Sequence, residues 1–135
     1  IVPVEGLPVY NPEVKVYRVL DADGSQLSLF LTDYLPRSTK RGGAWMSNFR
    51  EQYVDATGKD MRPIVINVCN FGQPDDTVTT LTIDEVQTAF HEFGHALHGM
   101  LTKCRYVDVS GTNVTRDFVE TFSQFNAISS RPGRL

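Results

Sequence analysis

Apolar positions recur with two different periods along this chain, and the change of period divides it. Val14, Val16, Tyr17 and Val19 predict one strand, and Leu27, Leu29 and Leu31, alternating with Ser28, Phe30 and Thr32, predict a second. Asp23-Gly24 between these runs is a hairpin signal, because glycine tolerates the positive φ that a tight turn needs. Residues 36–45, with Pro36 and Gly42-Gly43, read as a loop. The run Ile64-Val65-Ile66-Asn67-Val68-Cys69 is apolar enough for a buried strand, and residues 71–80 read as a second loop. From Thr82 the spacing becomes helical. Thr82 and Glu85 fit a capping box, and Val86, Phe90, Phe93, Leu97 and Met100 recur at steps of three and four as one buried stripe. A second helix is predicted from about Thr115 to Ile128, with Phe118, Phe122 and Phe125 on its apolar side. The expected class is α+β: a small antiparallel or mixed sheet followed by two helices.

Length and composition narrow this picture. The 135 residues suit one domain, with sheet and loops over 1–80 and helices over 81–135. A net charge of −3 weighs against a nucleic-acid partner, which calls for a basic footprint. The sequence has no apolar run near the ~18 residues of a membrane-spanning helix. Two cysteines, Cys69 and Cys104, make no disulfide framework and read as small buried hydrophobes; Trp45 and Phe49 read as core. Both ends look cut. The chain starts at Ile1 without an intact signal peptide, and it closes on a polar tail with Pro132 and Gly133. The expected location is cytoplasmic.

All three histidines lie within one short stretch of the first helix. His91 and His95 stand four apart, hence on one helical face, and can aim two imidazole nitrogens at one point. Glu92 lies beside the first of them. His-Glu-x-x-His is the zinc-peptidase pattern, in which the glutamate acts as general base and acid. The histidines occupy the stripe next to the apolar one, so the helix can be anchored on one side while the other meets a cleft. A third protein ligand is then required. His98 is a poor choice. A helix rises ~10.5 Å between positions 91 and 98, whereas ligand atoms on a tetrahedral zinc sit ~3.3 Å apart. It reads instead as a group behind the ligands or in the cleft. Leu101 stands where the metzincin extension needs histidine, which excludes that class. Asp108, Asp117 and Glu120 are the carboxylates beyond His98. Asp117 and Glu120 share one face of the second helix. Glu120 has the longer reach and is the preferred third ligand, with Asp117 placed to accept from an imidazole N–H. A capping box formed by Asp117 and Glu120 is the plainer alternative.

These stretches resemble the thimet oligopeptidase family of zinc metallopeptidases, most of all its bacterial peptidyl-dipeptidases. The resemblance runs through Gly6-Leu7-Pro8-Val9, Lys40 to Phe49, Asn67 to Phe71, Phe90 to Gly99, and Ser110 to Asn113 followed by Arg116 to Glu120. It implies one zinc per chain held by His91, His95 and Glu120, with Glu120 standing 29 residues after His91. It also implies Glu92 as the catalytic group and oligopeptides as substrates. Departures are visible too. Family members are several times longer, with a helical lobe upstream and downstream helices that bring further residues to the transition state. Phe122 stands where the family has proline, and the tail from Ala127 looks foreign to it.

Two other readings fit the residues: a zinc-binding fragment without catalysis, and an interaction module whose exposed faces self-associate. Arg37, Lys40 and Arg41 read either as an anchor for a peptide carboxylate or as a solvated basic loop. The strand at 64–69 is the positional candidate for pairing with an extended substrate.

Overall fold

The computed structural model describes residues 1–72 and 80–130. Its strands are β1 (Val2–Val4), β2 (Lys15–Leu20), β3 (Gln26–Asp33), β4 (Trp45–Arg50), β5 (Tyr53–Val54), β6 (Asp60–Met61) and β7 (Ile64–Val68). Two helices follow, α1 (Ile83–Leu101) and α2 (Arg116–Ser129), with a short 3₁₀ turn at Val107–Val109 between them. Five strands form a mixed sheet in the order β1-β2-β3-β7-β4, and β5 and β6 pair separately. The α+β class therefore holds. Most of the loop predicted over 71–80 lies outside the described residues.

The predicted hairpin is present. β2 and β3 pair antiparallel, Asp21 N–H donates to the Ser25 carbonyl, and Gly24 takes φ +84°. β3 and β7 then run parallel, Leu31 beside Ile66, and β4 closes the far edge antiparallel to β7. β4 corrects two expectations. Trp45, placed in the predicted loop, opens a strand, and β7 is an interior strand with neighbours on both sides, so the edge on that side of the sheet belongs to β4.

Toward its end β3 has buried residues on both faces of the sheet rather than alternately. Val14, Val16, Leu31, Ile66 and Val68 pack together on one face, with Trp45 against them. On the other face Val19, Phe30 and Val65 meet Ala96 and Met100 of α1. Phe49, expected in the core, is 60% exposed at the register shift between Asn48 and Arg50 on the edge strand. Cys69 is buried and Cys104 only partly so.

Arg37 and Lys40 serve neither role expected of the basic loop. Both pair with Asp33, which is 1% exposed at the end of β3, and Tyr10 donates to the same carboxylate. These donors hold Asp33 at a pKa of about 2 against the opposing cost of burial. Arg41 instead stacks over the Trp45 ring.

α1 begins with the predicted capping box between Thr82 and Glu85. Of the predicted stripe, Met100 is in the core and Phe93 and Leu97 pack against it, but the buried positions extend beyond that stripe. Glu92, Gly94, Ala96, Gly99 and Met100 are buried, whereas Phe90 is 41% exposed. The helix is clasped between the sheet and α2, and small residues allow the close approach on each side. Thr115 is the N-cap of α2, so Asp117 is a first-turn residue and not the cap. Phe118, Phe122 and Phe125, on the predicted apolar side, are exposed, and the buried residue of α2 is Ser123.

Candidate metal centre

The capped first turn fixes α1 so that His91 and His95 project from one face, their rings 5.0 Å apart and nearly perpendicular. α2 crosses beside them and delivers Glu120. His91 Nε2 and His95 Nε2 each lie 3.2 Å from Glu120 Oε2. The three ligating atoms fall within 4.8 Å of one another. Two imidazoles and one carboxylate are a donor set that zinc takes, and ligand atoms around a tetrahedral zinc stand ~3.3 Å apart. The residues present therefore fit such an ion. Among the described residues no other trio of His, Cys, Asp or Glu converges in this way.

The electrostatics favour the states that ligands require. Ser123 donates to Glu120 Oε2 at 2.6 Å, and this bond is the main reason the Glu120 carboxyl ionises more readily than usual. Burial pushes His95 toward its neutral form, although Glu120 opposes it. Glu92 is 7% exposed beneath the histidines. Burial, assisted by the Glu120 charge, raises it to about 7, while the Met46 backbone N–H pulls the other way.

A cleft of about 280 Å³ opens over this group, lined by Ala44, Trp45 and Met46 of the edge-strand region, the two histidines, Glu92, Glu120 and Thr112. A larger hollow of about 750 Å³ between Gln52, Lys103 and Tyr106 holds no convergent ligand set and lies away from the histidines. Thr112 is carried by the loop between the helices, which is tied down at several points. Gln52, 1% exposed, donates to the Cys104 carbonyl and accepts from the Cys104 N–H. Gly111, at φ +53°, packs so close that a Cβ there would stand 3.3 Å from Gly99 Cα.

Asp117 lies exposed on the first turn of α2, and among the described residues it makes no hydrogen bond with His91 or His95. His98 is turned away from Glu120, packed on the Phe122 ring at 4.5 Å between centroids, and its buried Nδ1 has no partner among the described residues. Burial also favours its neutral form. Sequence reasoning missed Met46, Thr112, Ser123 and the role of Gly94. Of these only Ser123 carried a signal, since it stands three residues after Glu120 on a helix and thus on the same face.

Residues 1–129 match the model of peptidase family M3, and the chain belongs to that family. It is 49% identical over 121 residues to the dipeptidyl carboxypeptidase of Salmonella typhimurium (strain LT2), covering 89% of this chain and 17% of that protein. Oligopeptidase A of Escherichia coli K12 is 41% identical over 119 residues, 87% of this chain and 18% of that protein. A probable cytosolic oligopeptidase A of Arabidopsis thaliana is 42% identical over 132 residues, 93% of this chain and 19% of that protein. The chain thus spans less than a fifth of the length of these curated relatives. Among the described residues no helix is long and apolar enough to cross a membrane.

Proposed function

We propose that this chain carries the reaction centre of a zinc-dependent peptidase acting on short oligopeptides, with one ion held by His91, His95 and Glu120. The observation that carries this reading is the convergence of both histidine Nε2 atoms on one Glu120 oxygen, beside a buried Glu92. Zinc bound there would supply Lewis-acid activation of water and of the scissile carbonyl. Glu92 takes the proton of the attacking water and returns it to the leaving amine nitrogen. The open edge of β4 borders the cleft, so an extended peptide can pair with the strand and present its carbonyl above Glu92.

The chain acts as one unit in this reading, residues 1–80 supplying the edge strand and 81–135 the ligands. His98 and Asp117 fall outside the ligand set and act behind it or on the substrate side. The names of the relatives support peptide chemistry, including release of dipeptides, and one of them supports a cytosolic setting. The test is hydrolysis of short peptides by zinc-loaded chain, with chelator and with Glu92→Gln as controls. Cleavage that vanishes in both controls supports the proposal. Cleavage that survives Glu92→Gln at the wild-type rate contradicts it.

A further inference from the structure

Gly94 occupies the middle of α1, where glycine is a poor helix former because it surrenders the most backbone freedom. The helix crossing supplies the reason for it. A Cβ at position 94 would stand 2.6 Å from both the Phe122 carbonyl oxygen and Ser123 Cα. These are backbone atoms and cannot swing aside, so the helices would have to part by about 1 Å to regain ordinary contact.

At that crossing lies Ser123, with 0% exposure. Its hydroxyl is 2.6 Å from Glu120 Oε2 and 3.0 Å from the Glu120 carbonyl. A hydroxyl donates one proton at a time, and the bond to the carboxylate is the shorter, charge-assisted one. The three proposed ligands are held unequally. The His91 and His95 side chains are 25% and 13% exposed, that of Glu120 is 50% exposed. Surrounding protein restrains the imidazoles, whereas a half-exposed glutamate keeps rotamer freedom that binding must remove.

We infer that Ser123 is the positioning residue that holds Glu120 toward the two histidines, and that Gly94 sets the helix spacing that brings this pair up to them. This rests on the proposed metal centre. Ser123 contributes no metal bond. It fixes the third ligand beforehand from a site the two helices have closed, and Gly94 keeps α2 near enough for Glu120 to meet both imidazoles.

The test is zinc affinity of the 135-residue chain by competition with a chromophoric chelator, together with the visible spectrum of the cobalt(II) form. Ser123→Ala should fold, since alanine favours helix, and should lose about 10–100-fold in zinc affinity with an altered cobalt spectrum. Ser123→Gly removes the same oxygen and replaces it if the alanine variant does not fold. In a Glu120→Ala background, adding Ser123→Ala should leave residual affinity unchanged, because the serine acts through Glu120. Gly94→Ala should weaken zinc at least as much as Ser123→Ala. Wild-type affinity and spectrum in Ser123→Ala, or an equal loss with and without Glu120, overturns the inference while leaving the metal centre standing. A wild-type chain that takes up no zinc overturns both.

Discussion

The sheet and the second helix treat their large apolar side chains in opposite ways. On the sheet Val65, Ile66, Val68 and Phe30 are all below 7% exposed. On α2 Phe118, Phe122 and Phe125 are 46%, 41% and 74% exposed, while a serine is buried. α1 belongs to both regimes. It gives Ala96 and Met100 to the sheet, and Gly94 to the crossing with α2. The difference separates what holds the molecule together from what its polar groups do. Burial of apolar surface anchors α1 on the sheet. Close backbone approach at Gly94 and the Asn126 amide donating to the Phe90 carbonyl hold α2 against α1, and that crossing brings the polar groups together.

The contrast can be broken or sharpened by substitution. The largest expected effect is on chemistry: Glu92→Gln should lower peptide hydrolysis by about 10²–10⁴-fold and leave zinc affinity near wild type. Initial rates and a chelator titration on one preparation check both halves. Next is Met100→Ala, which empties a fully buried position between α1 and the sheet. It should cost about 2–5 kcal/mol by denaturant unfolding. A loss below about 0.5 kcal/mol would show that the sheet is not what anchors α1.

A smaller effect is tied to acid. Asp33 folds with a pKa of about 2 against an ordinary 3.8. A depressed carboxyl pKa contributes stability that is fully present above the unfolded value and disappears as pH falls through the folded one. The contribution is about 2 kcal/mol at neutral pH. It should be lost between about pH 4 and pH 2, and Asp33→Asn should flatten that part of the stability profile. The smallest effect is expected on the exposed face of α2. Phe125→Ser should change stability by less than about 0.5 kcal/mol and reduce self-association on a sizing column. A loss of several kcal/mol would mean that the phenylalanine face is packed after all.

Periodicity was informative where one rule governed a segment. The hairpin at 21–25, the interior strand Ile64–Val68 and the Thr82–Glu85 capping box are local features, and each is set by residues close together in the chain. The helical pairing of His91 with His95 was legible for the same reason. β4 was not, because Gly42-Gly43 and the basic residues before it mask a strand whose partner lies about twenty residues on. On α1 periodicity finds the side toward the sheet, where Phe93, Leu97 and Met100 join the core, and misses the second buried side at Gly94, because it weighs hydrophobicity and a close helix crossing selects a small residue. Glu120 was reached by counting carboxylates, but Ser123 and Gly94 acquire meaning only once the two helices are seen to cross.

The central claim is that His91, His95 and Glu120 bind one zinc. Metal analysis of the purified chain, reconstituted with zinc near neutral pH and freed of excess, tests it most directly. The account predicts about one zinc per chain in the wild type, little in Glu120→Ala, and release on acidification to about pH 4, since ligating histidines must be neutral. No bound zinc in the wild type, or equal zinc in the wild type and Glu120→Ala, would contradict it.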